Sequence, residues 1–218
     1  MHTQNFGDLS AITLAPPGNP NGALVLLHGV GSNERNMLEL GPILAEDRLI
    51  VSLRGPLVLG ANAFAWFHVQ FTAHGPIHNW DEAKKSLQLI EEALLDLSDK
   101  TKIPLEKISI FGFSQGAIMT IGLALQSELP LEKYIASSGR TLPEFAQASE
   151  KSPLASYRDR KIFIGHGEYD SKLPVALARN TERILRSADL DLIYKEYPAD
   201  HSVSPELITD ARKWLKSL

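Results

Sequence analysis

The sequence predicts an α/β fold in which helices cover both faces of a mostly parallel, doubly wound sheet. Short runs rich in β-branched residues and leucine alternate with longer segments of helical period, and the central runs are apolar at nearly every position. Strands that are apolar on both faces suit the interior of a parallel sheet. Because alternating elements of this kind form right-handed βαβ units, we expect the sheet to lie between two layers of helix.

The strands are predicted from short apolar runs. They are residues 23–27, 49–53, 108–113, 134–137, 162–164 and 192–197.

The helices are predicted from apolar periodicity and from residues that favour helix starts. The longest spans 80–101, where apolar residues recur on one face and Asn79 and Glu82 have the spacing of a capping box. Two more helices are predicted, one beginning after Pro174 and the other after Ser204, which is followed by Pro205.

Residues 60–79 interrupt the alternation. The segment is rich in aromatic residues and contains glycine and proline, but it has neither a helical nor a strand period. Structureless stretches of this length are uncommon in compact domains and often serve as functional loops. We therefore expect a substrate-covering loop, the alternative being a loop whose aromatic side chains fill the edge of the core.

Length and composition restrict the function further. The 218 residues predict one domain, 1–218, without room for a large cap domain. A net charge of -4 argues against nucleic acid as a partner, and without a long apolar run we expect no stable membrane insertion. The chain has no cysteine, which excludes disulfides, thiolate metal sites and a cysteine nucleophile. No secretory signal is recognisable, so we expect a cytoplasmic protein. The sequence leaves the choice between monomer and homodimer open.

The most specific motif is Gly-Phe-Ser-Gln-Gly at 112–116, between a predicted strand and a helical run over 117–125. A strand-to-helix turn this tight needs small residues on both sides of the serine. The turn exposes Ser114 at a helix N-terminus, where free backbone N–H groups stabilise negative charge. The motif therefore predicts a nucleophilic serine.

A serine hydroxyl needs a base and an acid that orients the base. Downstream of Ser114 there are two histidines, and His201 is favoured because it lies in the loop after the last strand. His166 ends its own strand, where we expect it to hold the turn by hydrogen bonding. Asp170 is the favoured acid, with Glu168 as its rival.

Two backbone N–H groups are expected to form an oxyanion hole. Gln115 follows the nucleophile and supplies the first, and Val30, in the glycine-containing loop 26–33, supplies the second. A dinucleotide-binding loop is the alternative for this segment, but Glu34 occupies the position of its third glycine.

The histidines are also candidate metal ligands. His74 and His78 are four residues apart, but Gly75 and Pro76 between them argue against a helix that would place both on one face. We expect loop histidines near the substrate, and no metal site.

These motifs together resemble the α/β-hydrolase superfamily and, within it, the small carboxylesterases of the phospholipase/carboxylesterase family, which includes acyl-protein thioesterases. The resemblance spans nearly the whole chain. It implies a Ser114, Asp170 and His201 triad and so favours Asp170 over Glu168. It also implies an oxyanion hole from Val30 and Gln115, and no cofactor. One departure is Asp200, which stands before His201 where the family often has glycine.

The expected function is that of a serine carboxylesterase acting on a small-molecule ester. Phe64, Trp66, Phe71 and Leu173 are predicted to form an apolar wall for the acyl chain. A thioesterase or lysophospholipase acting on longer acyl groups uses the same chemistry and is the enzymatic alternative. A non-catalytic hydrolase scaffold that binds a small ligand or a protein is the alternative of a different class.

Overall fold

The computed structural model describes residues 1–72, 75–151 and 159–217. Its strands are β1 (His2–Phe6), β2 (Leu9–Leu14), β3 (Ala23–Leu27), β4 (Leu49–Leu53), β5 (Leu57–Gly60), β6 (Ala63–Ala65), β7 (Val69–Thr72), β8 (Gly75–His78), β9 (Ile108–Phe113), β10 (Lys133–Ser137), β11 (Lys161–Gly167) and β12 (Asp191–Tyr197). Its helices are α1 (Glu34–Leu38), α2 (Leu40–Leu44), α3 (Trp80–Thr101), α4 (Gln115–Gln126), α5 (Pro143–Lys151), α6 (Val175–Ser187) and α7 (Pro205–Lys216).

Eight strands form the central sheet in the order β1-β2-β4-β3-β9-β10-β11-β12. The six strands from β4 to β12 in this order are parallel, and β1 and β2 add an antiparallel edge. Every residue of β3 and β10 is buried, which agrees with their continuous apolar character. The predicted parallel α/β fold is confirmed.

Helices cover both faces of the sheet. The buried sides of α1, α2 and α7 pack together on one face, and those of α3 and α4 pack on the other. Helix α3 has the predicted bounds, and the Asn79 side chain accepts a hydrogen bond from the Glu82 amide at its start. Helix α7 begins at the predicted proline, with Ser204 as its cap. In the described ranges, no helix is both long enough and apolar enough to cross a membrane.

The expectation of a structureless segment at 60–79 was wrong. The segment contains β6, β7 and β8: β5, which ends at Gly60, pairs with β6, and β7 pairs with β8, as two small antiparallel sheets outside the main one. Strand period arises when one face is buried and the other is exposed. Here the strands have only three or four residues, and the large buried side chains Trp66 and Phe67 lie between β6 and β7, so the sequence shows no alternation.

Candidate active site

Ser114 lies at the sharp turn between β9 and α4, at the carboxyl edge of the sheet. Its backbone has φ 54° and ψ -113°, a conformation that a residue with a side chain rarely adopts. A side chain at position 112 would collide with the Gly116 carbonyl, and one at 116 would collide with the Leu27 carbonyl. The flanking glycines are therefore required by close approach of the backbone, as the motif predicted.

The structure brings the three predicted polar side chains together in one chain of hydrogen bonds. His201 Nε2 lies 2.9 Å from Ser114 Oγ, and His201 Nδ1 lies 2.7 Å from Asp170 Oδ2. The second carboxylate oxygen, Asp170 Oδ1, accepts the backbone N–H groups of Lys172 (3.0 Å) and Leu173 (2.7 Å). Because Asp170 is buried and both of its carboxylate oxygens are hydrogen-bonded, it fixes the orientation of the imidazole.

Asp200, the residue that departs from the resemblance, joins the loop carrying the acid to the loop carrying the histidine. Its carboxylate accepts the Ser171 amide at 2.8 Å and the Ser171 hydroxyl at 3.0 Å. The hydrogen bond from the Ser171 amide is the main cause that lowers the pKa of Asp200. A carboxylate at this position therefore ties the two loops together, which glycine could not do.

The alternative base and acid make other contacts, and His166 adjoins the proposed acid, with its Nε2 3.3 Å from Asp170 Oδ2. His166 is fully buried, and its Nε2 donates to the Leu173 carbonyl at 2.7 Å, so it holds the turn that carries Asp170. Burial lowers the pKa of His166, which keeps this imidazole neutral. Glu168 is exposed, and its backbone amide bonds to the Tyr197 carbonyl.

The loop after β3 lies directly against the serine. A Cβ on Gly29 would be 3.2 Å from Ser114 Cβ, so the loop backbone is in contact with the nucleophile. The loop is held from its other side by hydrogen bonds that Gly31 and Ser32 exchange with Phe64. Among the described residues, the amides of Val30 and Gln115 find no protein acceptor. Both are thus available to a ligand beside Ser114.

His28 is a residue of this site whose role was not predicted. Its Nε2 accepts the Gly55 amide at 2.9 Å, so the proton is on Nδ1, which donates to the Gly29 carbonyl at 2.7 Å. Burial lowers the pKa of His28, which favours this neutral form. His28 therefore fixes the peptide between Gly29 and Val30, whose N–H is the predicted oxyanion donor. The loop motif contained the residue, but no spacing rule indicates a histidine that bonds its own loop.

Comparison with known proteins identifies the family of the chain. A family model described as Phospholipase/Carboxylesterase matches residues 10–218. The chain belongs to the phospholipase/carboxylesterase family. It is accordingly a carboxylic ester hydrolase with the α/β-hydrolase fold.

Individual proteins give the same picture for this esterase. It is 27% identical to "Acyl-protein thioesterase 1" of Candida albicans over 96% of its own chain and 98% of the relative's. The crystal structure of esterase PE8 superposes with a TM-score of 0.84 at 24% identity, covering 95% of this chain and 98% of that one. A carboxylesterase from Mesorhizobium loti superposes with a TM-score of 0.83 at 15% identity, covering 99% of each chain.

A cavity of about 540 Å³ opens at the serine of the esterase. Its apolar side chains include Phe67, Val69, Phe113, Ile118 and Leu173. Two of its lining residues are cationic, Arg140 and Lys172.

Of the three predicted wall residues whose side chains are described, Leu173 alone lies at this cavity. Trp66 is wrong as a wall residue because it is fully buried, with its indole N–H donating to the His28 carbonyl at 2.9 Å. Phe64 is also absent from the described lining, and its ring packs under the Arg54 guanidinium at 4.6 Å. The Phe71 side chain lies outside the part of the structure that is described.

The Gln115 side chain explains why Trp66 is buried. Its Oε1 accepts the Trp66 amide at 2.8 Å, and its Nε2 donates to the Phe67 carbonyl at 2.7 Å. The residue after the nucleophile thus holds residues 66–67 beneath the cavity, with both ends of its amide occupied.

The histidines considered as metal ligands are only partly described. His74 lies outside the described residues. His78 Nε2 lies 2.9 Å from Glu144 Oε2, which makes it a partner of helix α5. Within the described ranges, no cluster of three or more metal-ligating side chains occurs.

Proposed function

We propose that Ser114, His201 and Asp170 are the catalytic triad with which the esterase cleaves carboxylic esters through an acyl-enzyme. His201 Nε2 removes the proton from Ser114 Oγ as the oxygen attacks the carbonyl carbon. The protonated imidazole then gives this proton to the departing alkoxide. A water molecule then attacks the acyl-enzyme by the same steps. It loses a proton to His201, and the acid is released from Ser114.

The oxyanion of both tetrahedral intermediates would accept the N–H groups of Val30 and Gln115. Supporting this role, the two amides have no acceptor in the described chain and the loop touches Ser114. Losing one such donor typically costs on the order of a hundredfold in rate.

The observation that carries the proposal is the pair of distances around His201, 2.9 Å to Ser114 and 2.7 Å to Asp170, at the cavity. A fluorophosphonate probe should label the wild type and Ser187→Ala, a variant of an exposed serine at the end of α6, but not Ser114→Ala. Folded wild-type protein that is neither labelled nor active on short nitrophenyl esters would support the non-catalytic scaffold instead.

Hydrolysis of acyl thioesters is the second candidate function, because the Candida albicans relative is named a thioesterase. A thiolate leaves through the same steps, so the proposed machinery serves both substrates. A chain-length series of matched oxygen esters and thioesters, measured on one preparation, assigns the preference. If long thioesters exceed the matched oxygen esters in kcat/KM, the carboxylesterase assignment gives way to the thioesterase one.

We further propose that residues 60–79 cover the bound acyl group. Phe67, Val69 and Pro76 of this segment line the cavity. Alanine at Val69 should change the chain-length preference, and an unchanged preference would show that the segment does not contact the acyl chain. The cytoplasmic location and the oligomeric state stay predictions.

A further inference from the structure

Arg140 is a cation in the active-site cavity without an anion to match it. It lines the same cavity as Ser114 and His201 and is partly buried. Its guanidinium forms no hydrogen bond or ion pair with any residue of the ranges that the structure describes. Partly buried charges are ordinarily paired, because removing them from water is costly.

The acidic group beside Arg140 and the acid of the proposed triad are both engaged. Glu144 is the one whose charge acts on Arg140, but its carboxylate is bonded to His78 at 2.9 Å. Asp170 is bonded to His201 and to two backbone amides. Burial lowers the pKa of Arg140, yet a guanidinium stays protonated at neutral pH, so the cavity holds a full positive charge.

The backbone that carries Arg140 is fixed relative to the nucleophile. The Ser137 carbonyl accepts the Ser114 amide at 2.9 Å, so the end of β10 is bonded to the turn that carries the nucleophile. A side chain at position 139 would collide with Ala117 of α4, which shows how closely the next turn packs. On the other side, the Thr141 amide donates to Thr181 Oγ1 of α6 at 2.8 Å. Arg140 is thus held between two helices at the edge of the site.

We infer that Arg140 binds a carboxylate carried by the ester substrate, so that the preferred substrates are esters bearing a negative charge. The planar guanidinium presents paired N–H groups that match the two oxygens of a carboxylate. The apolar part of the lining, which includes Phe67, Val69 and Leu173, would hold the carbon chain between this anion and the reacting carbonyl. This inference rests on the proposed function, because it assigns the substrate class of the same site.

The carboxylate can belong to the acyl half or to the alcohol half, and two matched substrate pairs separate these cases. 4-Nitrophenyl hydrogen adipate and 4-nitrophenyl hexanoate differ by a carboxylate in place of the terminal methyl group of the acyl chain. 4-Acetoxybenzoate and 4-methylphenyl acetate differ in the same way on the leaving group. Ser114→Ala gives the background rate for all four.

The decisive quantity is the ratio of kcat/KM for the charged ester to that for the neutral ester. In Arg140→Met this ratio should fall about 10- to 100-fold in one of the two pairs, the range expected for loss of a charge-assisted hydrogen bond. Arg140→Lys keeps the charge without the paired geometry and should recover part of the ratio. Lys84→Met removes an exposed charge from α3 and should leave the ratio unchanged.

The neutral esters separate failure of this inference from failure of the proposed function. If Arg140→Met hydrolyses them at the wild-type rate and both ratios equal those of the wild type, Arg140 does not bind substrate. If Arg140→Met does not fold, Arg140→Gln removes the charge in its place, and wild-type ratios in that variant overturn the inference equally. Wild-type protein inactive on all four esters would instead overturn the proposed function and the inference with it.

Discussion

Each edge of the parallel sheet carries a cavity, and the two cavities differ in whether their charged side chains are paired. At the amino edge, a cavity of about 470 Å³ is lined by Arg48, Glu132 and Lys133. Arg48 pairs with both oxygens of Glu132, at 2.5 and 3.0 Å, and the Lys133 ammonium donates to the final carbonyls of α7. At the carboxyl edge, Arg140 has no such partner among the described residues.

This difference shows how to tell a functional cavity from a structural one in this fold. The amino-edge cavity has a similar size, but Arg48 is already paired with Glu132 there. Lys133 donates to carbonyls of α7 and so holds the sheet to that helix. The carboxyl edge contains a strained serine and, as far as the described residues go, two amides without an acceptor and a cation without a bonded anion. Unmatched polar groups are costly in an empty cavity and become favourable only when a ligand supplies their partners.

The largest effect is expected at the carboxyl edge from Asp170→Asn. The asparagine oxygen would keep the two backbone N–H bonds of Asp170 Oδ1, which turns its NH₂ group toward His201 Nδ1. His201 would then carry its proton on Nε2 and could not accept one from Ser114. We expect kcat to fall about 10⁴-fold with little change in the free energy of unfolding.

Asp200→Asn is the matched control for that variant. It also changes a carboxylate next to the triad, but an amide oxygen can still accept the Ser171 amide. A loss of kcat in Asp200→Asn comparable to that in Asp170→Asn would mean that the negative charge of the region, and not the bond to His201, supports catalysis.

An intermediate effect is expected at the amino edge from Arg48→Met. The variant leaves Glu132 without its cation in a partly buried position, so the free energy of unfolding should fall by about 1–3 kcal/mol in urea titrations. The kcat/KM for neutral esters should not change. Lys102→Met removes a fully exposed pair with Asp99 and should cost less than about 1 kcal/mol.

The two arginines therefore make a direct comparison. Arg140→Met should alter substrate preference and leave the free energy of unfolding nearly unchanged, whereas Arg48→Met should do the reverse. If Arg48→Met lowered kcat/KM and left the unfolding free energy unaltered, the amino-edge cavity would be a functional site.

The parts of the molecule that depend on local pattern could be predicted from the sequence. The bounds of β3, β4, β9 and α3 agree with the predictions, because continuous apolar runs and a capped helical stripe are local features. The three proposed catalytic residues could be found because each follows a strand, and parallel strands end at the same edge of the sheet.

Features that depend on what a residue contacts could not be predicted. Trp66 looks like a wall residue in the sequence, but its place under the cavity is set by Gln115 and by the His28 carbonyl. Arg140 belongs to no motif, and the absence of a bonded partner among the described residues is a property of the folded structure. The two hairpins were missed because their strands have only three or four residues and the large buried side chains Trp66 and Phe67 lie between them.

A pH dependence of stability also belongs to the carboxyl edge. Burial holds the pKa of His28 below its ordinary value of 6.5, and the same is true of His166. Below about pH 6.5 both histidines become protonated in the unfolded chain, whereas in the native protein they stay neutral to lower pH. Their contribution to stability is therefore present above this pH and is lost as the pH falls.

We expect the free energy of unfolding to fall between pH 7 and pH 5 by up to about 1.4 kcal/mol per pH unit for each of these two histidines. Carboxylates with lowered pKa, such as Glu34, act only below about 4.5 and leave this window clear. Urea titrations across the window should give a shallower slope for His28→Asn than for the wild type, although the variant is less stable at pH 7. An equal slope would mean that native His28 takes up a proton as readily as the unfolded chain does, which contradicts an Nε2 held as the acceptor of the Gly55 amide that positions the oxyanion loop.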